Sequence, residues 1–160
     1  MLYYQNAGDL PANQYFSRCG VILYNRGYFG LFLDTKSGQL TDAGGSSMPY
    51  ENPIQAALRE FKEESLNIFP FINVEQVANQ LVVHNNHNLI LFLIIDENID
   101  KINKAFLRRW NTCCNEKQHL ENCAIVWLTP IQLQRVIECK TCYQATAVLL
   151  KDLDYIISFL

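Results

Sequence analysis

The 160-residue chain predicts a single α/β domain of the α+β kind, and three stretches carry that prediction. Two β-rich runs, Ser17 to Asn25 and Tyr28 to Asp34, flank the turn pair Arg26-Gly27 and form a hairpin. A well-marked amphipathic helix starts at Pro53. The uninterrupted apolar run Leu89 to Ile95 reads as a central buried strand.

The remaining elements fall between these. Residues 1–16 form an arm: Met1 to Gln14 has no period and contains Gly8-Asp9 and Pro11, so an edge strand is the most it promises. Thr35-Lys36-Ser37-Gly38 is a polar loop, and Gln39 to Ala43 leads into Gly44-Gly45. Beyond the helix, Phe69-Pro70-Phe71 breaks the pattern. Val74 to Val83 then reads as a strand with Gln76, Asn79 and Gln80 as its more polar positions. His84-Asn85-Asn86-His87-Asn88 is a turn-rich link, whose histidines read as exposed or as contacts at a substrate's edge and are left out of the site. Asp96 to Asp100 caps a helix expected from about Ile102 to Trp110. Its basic side (Lys101, Lys104, Arg108, Arg109) reads as solvated charge in preference to a phosphate-binding insertion. Glu121 to Pro130 is a loop acid, a strand and a helix start. Helices Ile131 to Glu138 and Tyr143 to Leu160 close the domain, with Leu133, Val136, Ile137, Val148, Leu149, Leu153, Ile156 and Ile157 as core stripes.

Composition narrows the function. Apolar residues at 49% with 18% charged exclude a disordered chain. A net charge of −3 without a basic block offers no general attraction to nucleic acid. No apolar run approaches the ~18 residues of a membrane span, and Met1-Leu2-Tyr3-Tyr4-Gln5-Asn6 is unlike a signal peptide. A cytoplasmic setting with reduced thiols is therefore expected. Of six cysteines, Cys139-Lys140-Thr141-Cys142 has zinc-ligand spacing, with Cys113, Cys123 and His119 as conceivable partners. The lack of a second such pair and the adjacency of Cys113 and Cys114 favour ordinary thiols.

The stretch from Gly44 to Ser65 holds the chemistry. Asn52 suits the N-cap, Pro53 the first helical position, and Gln55 completes a capping box. Ile54, Ala57, Leu58, Phe61 and Ser65 make one buried stripe. Glu60, Glu63 and Glu64 share a neighbouring face, where they repel one another and Arg59 offsets only part of the charge. A divalent cation with hard oxygen ligands would offset the rest; the bland alternative is a solvated acidic face.

The spacing discriminates between these. Gly45, five residues, Glu51, seven residues and then Arg59-Glu60-Phe61-Lys62-Glu63-Glu64 resembles the signature of the Nudix hydrolases. Two positions depart from it: Leu66 stands where that pattern has Gly, and Asn67 where it has an apolar residue. The helix is expected to run one residue further, turn at Asn67 and anchor its exit with Ile68. Before the glycines, Thr41-Asp42-Ala43 replaces a frequent Pro, and Asp42 reads as a turn former.

The resemblance, specific in the box at residues 44–68, implies an α/β/α sandwich with a mixed sheet flanked by helices. It implies Mg²⁺ or Mn²⁺ held by Glu60, Glu63, Glu64 and the Gly44 carbonyl. Glu60 is a ligand or the general base, while Glu51 and Arg59 orient the carboxylates. An outlying carboxylate is expected just before the last strand: Glu121, with Glu116 and Glu97 behind it. The implied reaction is hydrolysis of the diphosphate bridge of a nucleoside diphosphate linked to another moiety. Small nucleotides are favoured; a capped RNA end, an inositol diphosphate and a homodimer stay open. Tyr3, Tyr4, Phe16, Tyr28, Phe29, Asn85 and Trp110 are candidates for base recognition, each equally a core candidate. The competing reading is a Nudix-fold binding or regulatory module without hydrolysis.

Overall fold

The computed structural model describes residues 1–112 and 121–160. Its frame is a mixed sheet built on β2 (Arg18–Asn25), which pairs in parallel with β7 (Asn88–Ile95) along its whole length. On its other side β2 serves two partners. Arg18 to Val21 pair with β5 (Ala43–Ser46), and Leu23 to Asn25 with β3 (Tyr28–Asp34). Further strands extend the sheet in the order β1 (Tyr3–Asn6), β6 (Leu81–His84), β7, β2, β3, β4 (Leu40–Thr41), with β8 (Asn122–Leu128) also on β3. The β2–β3 hairpin closes through Arg26 (φ 51°) and Gly27 (φ 87°), a two-residue turn whose twist matches that of the strands.

Alternation along β2 sends its side chains to two cores. Cys19, Val21 and Leu23 join Ile54, Ala57, Leu58 and Phe61 of α1 (Pro53–Glu64), with Ile102 and Phe106 of α2 (Ile99–Thr112). Ile22 lies on the other face among Leu133 of α3 (Pro130–Glu138) and Leu149, Leu150, Leu153 and Ile156 of the C-terminal segment. Helices thus cover both faces of a mixed sheet, the sandwich that the box implies. Among the described residues no helix is long and apolar enough to cross a membrane.

α1 begins as expected, with Asn52 accepting from Gln55 N at 2.8 Å and the Gln55 side chain returning to Asn52 N at 3.0 Å. Its end differs. The helix stops at Glu64, and Leu66 (φ 56°) and Asn67 (φ 57°) are both left-handed. Leu66 N bonds Glu63 O at 3.2 Å and Asn67 N bonds Lys62 O at 3.0 Å, the paired closure of a Schellman motif. Leucine therefore holds the position glycine usually fills. Its side chain is only 2% exposed, so burial offsets the backbone cost.

Four other expectations change. The run from Val74 starts with a 3-10 turn, Glu75–Val77, because Asn73 and Gln76 cap each other reciprocally (2.8 and 3.0 Å) and commit these amides to a turn; strand pairing begins only at Leu81. His84 closes β6 and is buried, its ring stacked on Tyr3 (5.1 Å) and edge-on to Phe16 (4.9 Å). Burial holds its pKa below the usual value. Gln39 to Ala43 spans β4 and the start of β5, with Asp42 between them. The final helix is broken into α4 (Gln144–Ala147), a 3-10 turn at Val148–Leu150 and α5 (Leu153–Ile157), because Asp152 caps a new start by accepting from Tyr155 N.

Replacing Leu66 by glycine is expected to lower stability by up to about 4 kcal/mol. Removing a buried leucine side chain costs about 2–5 kcal/mol, and relief of the left-handed backbone returns about 1–2 kcal/mol. Urea midpoints test this; a higher midpoint for Leu66→Gly would show that the backbone cost dominates.

Candidate active site

Three structural devices position the acids of α1. The first is the Arg59 guanidinium. Its Nε donates to Glu51 Oε2 at 2.7 Å and its Nη2 to Glu51 Oε1 at 3.0 Å, a forked pair. Nη2 also donates to Ser46 O at 2.9 Å and Nη1 to Glu60 Oε1 at 2.9 Å, while Glu63 lies 3.6 Å away. One side chain thus ties the end of β5, the loop and the helix together. Hydrogen bonding to Arg59 holds the Glu51 carboxyl below the usual carboxylate range.

The second device is the absence of a side chain at Gly45. A Cβ there would stand 2.5 Å from the Glu60 carboxyl carbon, so glycine lets that carboxylate lie directly on β5. Burial raises the Glu60 pKa and the bond from Arg59 opposes the rise. Gly44 faces the other side of the sheet, opposite Gly20 of β2.

The third is the pocketing of Glu64. Its Oε1 accepts from Asn122 Nδ2 of β8 at 3.2 Å, whereas Oε2 is buried without a hydrogen-bond partner among the described residues. Burial, then the charges of Asp42, Glu121 and Glu60, push this carboxyl up to about 9. Glu63 differs, with 48% of its side chain exposed.

Glu121, immediately before β8, lies close enough for its charge to raise both Glu60 and Glu64. Glu97 lies elsewhere. Its backbone bonds the Asn25 side chain at the far end of β2 from Arg18, because the chain leaves β7 at that end. Glu116 lies outside the described residues, as do Cys113, Cys114 and His119.

The structure also reveals a neighbour to the site that the turn-former reading of Asp42 misses. Asp42 is fully buried, accepts from Arg18 Nη1 at 2.7 and 2.6 Å, and takes a short bond from the Thr146 hydroxyl. The Arg18 guanidinium lies over the Tyr143 ring, 5.3 Å from its centroid. A Cβ on Gly20 would come within 1.8 Å of Asp42 Oδ2, and one on Gly44 within 2.6 Å. The available signal was Gly20 itself, a glycine inside an apolar strand, which marks close approach by another group.

The base-recognition candidates do not gather around these acids. Phe16 and Phe29 are core residues, Tyr4 packs edge-on against Tyr155, and Trp110 lies on the α1-side core. The Asn85 side chain accepts from His87 N and Asn88 N, and Tyr28 is exposed beside the hairpin turn. Cys139 is exposed beyond α3, whereas burial pushes the Cys142 thiol up to about 12.

A divalent cation is tested by the donors present. Their chemistry fits: clustered carboxylates are hard oxygen ligands, and the buried Glu64 Oε2 is an acceptor without a donor among the described residues. Among the described residues no three His, Cys, Asp or Glu side chains already stand as a cage; Glu60 is instead drawn to Arg59.

No family model matches the chain, and no curated protein matches it. Solved structures do. The C. elegans Ap4A hydrolase in a binary complex is similar, with TM-score 0.51, 17% identity, and 89% of this chain and 99% of that one covered. The Deinococcus radiodurans protein DR0079 is similar at TM-score 0.52 and 17% identity, over 89% of this chain and 86% of that one. A NUDIX-family hydrolase from Clostridium perfringens aligns at TM-score 0.49 and 17% identity, over 90% and 99%. The likeness to the first two extends over nearly the whole chain and establishes the fold.

Glu64 gives the metal-free protein a pH dependence. The unfolded chain ionises this carboxyl near its ordinary value of 4.5, and the folded chain only near 9. Between these values the folded state holds the extra proton, so stability falls as pH rises through the window. Urea midpoints in chelator are expected to drop from pH 6 to pH 9 in the wild type and to flatten in Glu64→Gln; equal slopes would contradict this origin.

Proposed function

We propose that this chain, which carries the Nudix fold and most of the Nudix box, is a metal-dependent pyrophosphohydrolase. It would cleave the diphosphate bridge of a nucleoside diphosphate linked to another moiety. The observation that carries the reading is the buried Glu64 oxygen, without a donor among the described residues, on the helix face that also presents Glu60 and Glu63, with the charge of Glu121 nearby. A solvated acidic face has no reason to bury one of its carboxylates beside three other acids.

Glu60, Glu63 and Glu64, with the Gly44 carbonyl, would hold Mg²⁺ or Mn²⁺. When bound, such ions offset the negative charge of a diphosphate and acidify water. The chain's own part is positioning and proton transfer. Glu51 fixes Arg59, and Arg59 fixes the Glu60 carboxylate against Gly45. Glu60 or Glu121 would take the proton of the attacking water onto a carboxylate oxygen. A small nucleotide derivative is the favoured substrate. Net charge of −3 gives no electrostatic track for long RNA, and the similar C. elegans protein is named an Ap4A hydrolase.

One observation favours the competing binding module: Arg59 already pairs with Glu60, so the acids are partly neutralised without any ion. Turnover separates the readings. Phosphate-containing products would be measured with Mg²⁺ or Mn²⁺ over nucleoside triphosphates, ADP-ribose, dinucleoside polyphosphates, NADH and capped RNA. The wild type is expected to turn over at least one of these. Glu63→Gln, at an exposed position where the fold tolerates the change, should lose about 100-fold or more. Arg59→Lys should lose at least about tenfold, since an ammonium cannot reproduce the fork to Glu51. Metal-independent binding with no turnover on the whole panel would favour the module, and full activity in Glu63→Gln would remove that residue from the ligand set.

A further inference from the structure

A groove of about 380 Å³ runs between α1 and the segment 66–75, on the flank of the helix away from Glu60 and Glu64. Leu58, Phe61, Phe69, Ile72 and Val74 line it, and the Phe61 and Phe69 rings pack 5.1 Å apart at its base. At its lip stands Phe71, 76% exposed. An apolar groove with an exposed apolar ring beside it is self-complementary under a two-fold axis, since each copy offers both the knob and the hole. The charges agree. Lys62 is exposed on the helix bank and Glu75 on the opposite bank, and neither has an ion-pair partner among the described residues. A two-fold axis running along the groove would lay the helix bank of one copy on the segment bank of the other, so that each Lys62 meets Glu75 of the other copy.

We propose that this face is a homodimer interface in which Phe71 of each copy enters the groove of the other, flanked by two Lys62–Glu75 pairs. Arg59 lines the groove but Glu60, Glu63 and Glu64 do not, so the proposed dimer leaves the acidic face of α1 outside the seam. The interface stands independently of the proposed hydrolysis.

Sedimentation equilibrium on the full chain tests it, with circular dichroism confirming that each variant is folded. The wild type is expected to dimerise at micromolar concentrations, and Phe71→Ser to weaken the dimer at least about tenfold. Lys62→Glu and Glu75→Lys should each weaken it several-fold. The double reversal should return the dissociation constant to within about threefold of wild type, because the swapped charges again face each other across the axis. A wild type that stays monomeric at about 200 μM would overturn the proposal. So would a dimer untouched by Phe71→Ser, or a double reversal no tighter than the weaker single variant.

Discussion

The bond between Arg59 and Glu51 is the constraint on which the site depends. Without it, Glu51 and Glu60 would lose the cation that both of them bond, and the strand end at Ser46 would lose its link to the helix. With it, a single planar cation satisfies a loop carboxylate, a helix carboxylate and a strand-end carbonyl together. The geometry explains why a fork is required: two parallel N–H bonds to Glu51 fix the plane of the guanidinium, and the plane determines where Nη1 reaches Glu60. Charge alone would not place that oxygen.

Around this clamp, missing side chains matter as much as the ones present. Gly45 makes room for Glu60 on one face of β5, while Gly20 and Gly44 make room for Asp42 on the other. Two carboxylates thus press on the same short pair of strands from opposite sides. The Asp42 charge is tolerable there because Arg18 and Thr146 satisfy it. Among the described residues Glu64 has no such partner for its second oxygen, and it keeps its proton to a higher pH. The site accordingly combines one neutralised buried acid with one whose charge is opposed by its surroundings.

Much of this was legible in the chain. The helix from Pro53 to Glu64, its cap and its buried stripe follow from local chemistry, which is what sequence records most directly. The β2–β3 hairpin and β7 were equally visible, since length and apolar content alone identify them. What escaped depended on partners far along the chain. Asp42 resembled a turn residue because Arg18 and Thr146 lie 24 and 104 residues away. His84 resembled a loop histidine because the rings that bury it, Tyr3 and Phe16, belong to the arm and to the segment before β2. The reciprocal cap of Asn73 and Gln76 was within local reach, and the apolar spacing from Val74 obscured it. Leu66 shows the reverse case: a residue poor for its backbone conformation persists there because its side chain is buried.

The parallel pairing of β2 with β7 has a consequence for how the protein acquires its shape. The ends of this pair are brought together by Asn25 and Glu97, 72 residues apart in sequence, so the chain must close a large loop before the central pair of the sheet exists. α1 lies inside that loop and can form its capped turns early, from local contacts alone. Its site needs further long-range steps, because Gly45 must be seated on β2 and Asn122 must arrive with β8 on β3. The burial of Glu64 among Asp42, Glu121 and Asn122 therefore belongs to long-range closure, whereas its nearness to Glu60 and Glu63 comes with the helix itself.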